Sequence, residues 1–186
     1  MRKGICFCLL MCSALLFAGC LGKIPEEDTI SVDKKGRVTS TIVEDFDKEF
    51  YDAEELEGEI DAELAEYNQN FAADHIRKEA FEVEDGVAVL QLVFDESKYY
   101  ADYTGLTLFA GTIGEAEAEG YDLSGEYVDP EGNPADVETV SAGGEAHVLI
   151  LEEAVQAEVP GKILAVSPSE HVTVTGSREA SVSEAE

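Results

Sequence analysis

Residues 79–94 read EAFEVEDGVAVLQLVF, two runs of alternating side chains that meet at Asp85-Gly86. Asp-Gly is a dipeptide favoured at the centre of a type I′ turn, the two-residue loop that joins antiparallel strands. Such a loop pairs Phe81 with Leu90, and we expect the face that carries this pair to pack on the core. The stretch therefore predicts an antiparallel hairpin that buries one face of a sheet.

A second hairpin and a helix precede this stretch. Residues 29–32 and 38–43 alternate apolar and polar side chains on either side of a glycine-containing turn at 33–36. Between the hairpins, apolar side chains recur every three or four residues, the spacing that aligns them along one side of a helix. Asp52 can cap this helix, with Glu55 three residues further on. The apolar stripe consists of Phe46, Phe50, Ala53, Leu56, Ile60, Leu64, Tyr67 and Phe71.

Shorter elements follow the quoted stretch. Short helices are predicted at 96–103 and 112–119, with a short strand at 106–110 between them. The rest has β character, with turn signals at 129–134 and 143–144 and apolar runs at 148–151, 163–166 and 172–174. The expected fold class is α+β: a mainly antiparallel sheet on which one long amphipathic helix and one or two short helices pack.

The N-terminal segment has the features of a secretory signal. Arg2 and Lys3 precede an apolar run at 5–18, which is shorter than the roughly 20 residues of a spanning helix but fits a signal peptide. The run ends in Leu16-Phe17-Ala18-Gly19-Cys20, which resembles the lipobox of bacterial lipoproteins. Phe17 departs from the usual aliphatic residue, whereas Ala18 and Gly19 supply the small side chains that precede the cysteine. The chain thus resembles the small lipoproteins of unknown function of Gram-positive bacteria.

This resemblance implies a cellular location and a division of the chain into domains. Residues 1–19 would be removed as a signal peptide, and Cys20 would carry lipid that anchors the protein to the outer face of the cell membrane. Residues 20–28 then form the lipidated cysteine and a short linker, whose reach is at most about 30 Å. A single acidic α+β domain is expected at 29–176 and a polar tail at 177–186, either a fraying last strand or disordered. Two acyl chains are enough to anchor a protein stably, because each methylene group buried in the bilayer contributes about 0.8 kcal/mol to binding.

Cysteine usage and charge exclude several kinds of chemistry. Because Cys6, Cys8 and Cys12 lie in the signal, only Cys20 would remain, which leaves no internal disulfide, cysteine metal site or cysteine nucleophile. The chain has 41 acidic against 12 basic residues and a net charge of −29. This sign disfavours binding to nucleic acid and to anionic lipid, and it permits attraction to cations and basic partners.

Motifs that suggest catalysis or metal binding are weak. Ser31-Val32-Asp33-Lys34 matches S-x-x-K but falls in a hairpin, where the lysine is not beside the serine on a helix. Residues 129–136 alternate oxygen side chains like a calcium loop, yet Pro134 occupies the place of the required glycine, and a β-turn explains them better. The histidines have no metal-ligand spacing; they are His75, His147 and His171. We predict no cofactor, no metal ligand and no catalytic residue.

Three tyrosines are candidates for ligand binding. Tyr99 and Tyr103 are one helical turn apart, and Tyr121 follows nearby in the sequence. Aromatic rings with polar tips can form a binding surface, although the same rings can simply pack a short helix on a sheet. Two functions stay open: a non-enzymatic binding or envelope-associated module for an unknown protein or small molecule, or a carboxylate-dependent hydrolase acting on envelope or dietary glycan.

Overall fold

The computed structural model describes residues 27–136 and 146–183. The expected signal peptide, Cys20, the linker up to residue 26 and the glycine pair at 143–144 lie outside the described residues. Within the described residues the fold is α+β, with three helices and a seven-stranded sheet that is antiparallel except for one pair of strands. The fold class expected from the sequence is confirmed at this level.

The elements follow one another along the chain as strands, helices and short hairpins. They are β1 (Thr29–Val32), β2 (Val38–Asp45), α1 (Ala53–Asn68), β3 (Ile76–Glu84), β4 (Val87–Phe94), α2 (Ser97–Thr104), β5 (Leu108–Thr112), α3 (Ile113–Glu119), β6 (Tyr127–Val128), β7 (Pro134–Ala135), β8 (His147–Leu151), β9 (Val155–Glu158), β10 (Val172–Val174) and β11 (Glu179–Val182). The large sheet has the order β10-β11-β9-β1-β2-β4-β3, and β5-β8 and β6-β7 form two small sheets.

Both predicted hairpins form with the predicted loops. In the second hairpin Phe81 pairs with Leu90 across the turn at Asp85-Gly86, where both residues have positive φ. In the first, β1 pairs with β2, and the turn is held by the Asp33 carboxylate, which accepts hydrogen bonds from two backbone N–H groups beyond it. Local turn chemistry therefore sets the register of these four strands.

A β-bulge in β3 changes which side chains face the core. The pairing with β4 shifts between Lys78 and Ala80, so that Ile76 and Lys78 come to share the face of Phe81. Without the extra residue, strict alternation would place Arg77 on that face instead. The bulge thereby buries Ile76, which is 1% exposed, and turns Lys78 toward α1.

The core lies between this face of the sheet and the helices α1 and α2. Its buried members come from the strands β1 to β5 and β9 and from the two helices, and Ile60, Tyr67 and Tyr103 pack against them. Phe94 and Val38, both 0% exposed, are directly paired neighbours on β4 and β2. Tyr100 of α2 packs edge to face on Phe94, with ring centroids 5.1 Å apart. One contiguous apolar layer thus joins the sheet to both helices.

Helix α1 is shorter than the apolar stripe suggests. It has 16 residues and begins after Asp52, whose carboxylate caps the backbone N–H groups of Glu54 and Glu55. Phe46 and Phe50 precede the helix: the N–H of Phe46 binds the carbonyl of Gly86, which ties this part of the stripe to the hairpin. The predicted cap at Asp52 is therefore confirmed, whereas the apolar stripe extends beyond the helix at both ends, since Phe46 and Phe50 precede Asp52 and Phe71 follows Asn68.

In the second half of the chain the apolar runs at 148–151 and 172–174 form β8 and β10 as predicted, but other segments depart from the expected elements. The apolar run at 163–166 forms no strand; it contributes the isolated bridge of Val166 to Val128 and a backbone hydrogen bond from Ile163 to Ser177. Of the two alternatives for the tail, a last strand or disorder, Glu179–Val182 take the first: they form β11 between β10 and β9, and Ala180 is 8% exposed there. The β9 strand, which no apolar run signals, is parallel to β1. These strands depend on partners that are distant in sequence.

Candidate functional site

Five aromatic side chains meet where the end of α1 approaches α2. We call Tyr67, Phe71, His75, Tyr99 and Tyr103 the aromatic cluster. His75 stacks on Tyr99 with ring centroids 4.0 Å apart and an interplanar angle of 8°, and Phe71 stands edge-on to both. Tyr67 connects these three rings to Tyr103: its ring centroid lies 5.2 Å from that of Phe71 and 5.4 Å from that of Tyr103. Edge-to-face and offset contacts of this kind stabilise aromatic groups beyond the area that they bury.

The loop that carries Phe71 is fastened by one amide side chain. Asn68, at the end of α1, donates from its amide nitrogen to the carbonyl of Ile76 at 2.8 Å. Its amide oxygen accepts the N–H groups of His75 and Ile76 at 2.9 and 3.2 Å. Because one side chain bonds to the start of β3 in both directions, the intervening loop is held against the helix and the position of Phe71 is defined.

The tyrosine hydroxyls near the cluster are bound to carboxylates. Tyr67 donates to Asp102 at 2.8 Å, and burial together with this bond raises its pKa. Burial, with a hydrogen bond to Glu63, raises the pKa of Tyr103 to about 12. A neutral hydroxyl that donates to a carboxylate resists ionisation, since loss of its proton would place two negative charges together.

His75 and Arg77 share a carboxylate at the edge of the cluster. Asp95 accepts from Arg77 at 2.9 Å through one oxygen and lies 3.2 Å from Nδ1 of His75 through the other. The Arg77 hydrogen bond, which outweighs the opposing effect of burial, and the bond to His75 lower the pKa of Asp95. Asp95 therefore fixes the orientation of the His75 ring on Tyr99.

Lys78 connects the sheet to α1 through two carboxylates. Its Nζ lies 2.7 Å from an oxygen of Glu57 and 2.7 Å from an oxygen of Asp61, one helical turn further on. Burial alone would lower the pKa of Lys78, but the hydrogen bonds to Asp61 and Glu57 outweigh it and raise the pKa. The bulge of β3 makes this contact possible, because it turns Lys78 toward the helix.

An open groove of roughly 720 Å³ runs beside the cluster, between α1 and the start of β3. Its floor is apolar and includes Leu64 and Ile76, and Phe71, which is 36% exposed, forms one wall. Asp61 and Lys78, already paired with each other, lie at its rim. The groove offers a ligand an aromatic ring and an apolar floor beside a lysine that is bound by two carboxylates.

The structure brings together two of the three tyrosines that the sequence singles out. Tyr99 and Tyr103 are in the aromatic cluster, whereas Tyr121 packs on Phe109, with ring centroids 5.2 Å apart, outside it. Phe71 and His75 also belong to the cluster, although the sequence pattern places Phe71 on the helix stripe and gives His75 no metal-ligand spacing. The recurrence of aromatic side chains at Tyr67, Phe71 and His75, every fourth residue, is a signal that links them, even though Phe71 and His75 follow the last residue of α1.

The described ranges contain no metal-ligand cluster and no helix that could span a membrane. No three histidine, cysteine, aspartate or glutamate side chains of 27–136 and 146–183 converge as metal ligands. The Asp129 carboxylate, in the segment with calcium-loop spacing, accepts hydrogen bonds from Asn133 and from backbone N–H groups of its own turn. Among the helices that the structure describes, none combines the length and the apolar character that crossing a bilayer requires.

Comparison of the chain with models of protein families, with curated proteins and with solved structures finds no match.

Proposed function

We propose that this chain is a lipoprotein anchored on the outer face of the cell membrane through lipid on Cys20, and that its domain is a non-enzymatic binding module. The observation that supports binding over catalysis is the pairing of polar groups at the groove and in the neighbouring aromatic cluster. Lys78 at the rim of the groove, and the hydroxyls of Tyr67 and Tyr103 in the cluster, are bound to carboxylates of the domain itself. A ligand in the groove would meet the Phe71 ring and apolar surface beside polar side chains, a mixture typical of binding sites.

The start of the described chain supports a short tether. The Glu27 carboxylate accepts a hydrogen bond from Gln156 at 2.8 Å, and the Asp28 carboxylate accepts one from the N–H of Val43 at 2.8 Å. Both residues belong to the linker expected from the sequence, yet they are already fastened to the sheet. Six residues, 21–26, then separate Cys20 from the sheet, and a chain of that length reaches at most about 20 Å. Such a tether would keep the domain close to the bilayer.

A glycan hydrolase would need two carboxyl groups placed on either side of a scissile bond. Glu57 and Asp61 are two carboxylates on α1, and Asp61 lines the groove. They lie on the same helix, however, and both bind the Nζ of Lys78. This arrangement suits an ion pair that fastens α1 to β3, and we favour the binding module for that reason.

Metabolic labelling with radioactive palmitate tests the anchor. We expect the wild-type protein to take up label and the Cys20→Ala variant to lose it completely, because the thiol is the attachment point. The matched control is Cys12→Ala, which removes a cysteine of the signal and should leave labelling unchanged. Label that persisted in Cys20→Ala, or that disappeared in Cys12→Ala, would show that Cys20 is not the lipidated residue.

Saturation-transfer NMR with soluble N-acetylglucosamine oligosaccharides tests the groove. We expect transfer to the sugar from the wild-type protein in lipid nanodiscs and at least about fivefold weaker binding in Phe71→Ala, since a central aromatic contact is typically worth more than 1 kcal/mol. Phe50→Ala, which changes an exposed ring at the other end of α1, is the matched control and should bind as the wild type does. Cleavage of the sugar that Asp61→Asn abolishes would favour the hydrolase and contradict the binding module.

A further inference from the structure

Three aromatic side chains form a second group at the N-terminal end of α1. We call Phe46, Phe50 and Tyr51 the aromatic triad; Tyr51 lies 4.8 Å from Phe46 and 4.9 Å from Phe50 between ring centroids. Phe50 is 80% exposed and Tyr51 43% exposed. Isolated exposed apolar residues are common on protein surfaces, but a contiguous aromatic patch is a feature of interaction sites.

The triad is held in a defined conformation. The N–H of Phe46 donates to the carbonyl of Gly86 at 2.7 Å, and the N–H of Tyr51 donates to the carbonyl of Lys48 at 3.0 Å. The second bond closes a turn with Phe50 near its tip, where polar residues and glycine are the usual occupants. Because these bonds already order the segment in the free protein, binding to a partner would not carry the entropic cost of ordering it.

The surroundings of the triad are strongly acidic. Residues 44–55 contain seven acids and one lysine, Lys48, and this lysine is bound to Asp47 at 2.6 Å. A second copy of the chain, with its net charge of −29, would be repelled from this surface. An anionic bilayer would be repelled in the same way. The complementary surface is an apolar pocket with lysine and arginine at its rim.

We propose that the aromatic triad is a docking site for a basic partner protein, with Phe50 inserted into an apolar pocket of that partner. The surface differs from the groove: the triad precedes α1, whereas the groove is lined from Asp61 onward, about 12 Å along the helix from its first residue, Ala53. The inference goes beyond the proposed function, because it requires neither the lipid on Cys20 nor a ligand in the groove.

Fluorescence anisotropy with a labelled peptide of alternating lysine and leucine tests the proposal. The full-length protein is used in phosphatidylcholine nanodiscs, and empty nanodiscs give the background. We expect the wild type to bind this peptide at least about tenfold more tightly than Phe50→Ser does, as befits an aromatic hot spot. Glu49→Lys, which reverses a charge beside Phe50, should also weaken binding, and Phe71→Ala in the groove should not.

Two companion peptides separate docking from simple charge attraction. A lysine-serine peptide has the charge without the apolar groups, and a glutamate-leucine peptide has the apolar groups with the opposite charge. Both should bind more weakly than the lysine-leucine peptide. Equal binding of the lysine-serine peptide, or equal binding by Phe50→Ser, would overturn the proposal, as would dimerisation or vesicle binding that Phe50→Ser abolishes. Failure of Phe71→Ala to change sugar binding would count against the groove alone.

Discussion

Replacing Phe94 by alanine is expected to destabilise the domain by about 3–5 kcal/mol, the range found for large aromatic residues removed from packed cores. Phe94 is 0% exposed, and its neighbours across the sheet, Val38 and Ile76, are buried to the same degree. Its ring also contacts Tyr100 and Tyr103 of α2, at centroid distances of 5.1 and 6.0 Å. The cavity would therefore form between the sheet and α2, where rigid neighbours on both sides limit collapse.

Urea unfolding followed by circular dichroism measures this loss. Whole domains are typically stable by only about 5–15 kcal/mol. The urea concentration at the unfolding midpoint should therefore be much lower for Phe94→Ala than for the wild type. Leu106→Ala is the matched control, because Leu106 is 45% exposed and surface substitutions usually change stability by less than about 0.5 kcal/mol. Equal losses in the two variants would mean that Phe94 is not central to the core. Phe94→Leu, which keeps most of the volume, should fall between them.

The sequence predicts the hairpins well because their signals are local. Asp85-Gly86 selects a turn type, and the turn type sets the register of Phe81 against Leu90. The bulge near Lys78 has no such signal, since it depends on how β3 meets both β4 and α1. Likewise Asp52 correctly indicates where α1 begins, but the apolar stripe does not give the length of the helix, because Phe46, Phe50 and Phe71 follow the same spacing without being helical.

The candidate site was predictable only in part for the same reason. Tyr99 and Tyr103 are one turn apart on α2, and their spacing shows that they share a helix face. The contribution of His75 depends on a stacking partner in α2 and on Asp95, which lies at the end of β4. Strand β11 shows the same dependence, since Glu179–Val182 pair with strands on both sides and carry no apolar run of their own. Contacts between distant segments decide these features.

Raising the pH above 10 is expected to destabilise the domain through its buried tyrosines. Tyr100 is 4% exposed and donates to Glu153 at 2.6 Å; burial first, and this bond second, raise its pKa above the ordinary 10.0. A folded-state pKa above the unfolded value means that the folded protein retains the proton more strongly. The stabilisation is therefore complete below pH 10 and is lost as the pH rises through the folded pKa. For Tyr103, whose pKa is raised to about 12, this window is pH 10–12.

The Tyr100→Phe variant isolates this effect from the general repulsion of an acidic chain. Each pKa unit of difference between the folded and unfolded states corresponds to about 1.4 kcal/mol. The free energy of unfolding of the wild type should therefore fall by up to that amount per pH unit because of Tyr100. The contributions of Tyr67 and Tyr103 should be smaller, because these side chains are partly exposed and water screens their interactions. Tyr100→Phe cannot ionise at this position, and its unfolding free energy should fall less steeply between pH 10 and pH 12. Urea midpoints at half-unit steps of pH provide the comparison. Parallel curves of urea midpoint against pH for the two proteins would show that Tyr100 retains its proton no more strongly in the folded state than in the unfolded chain. The hydrogen bond to Glu153 would then contribute nothing to the loss of stability at high pH.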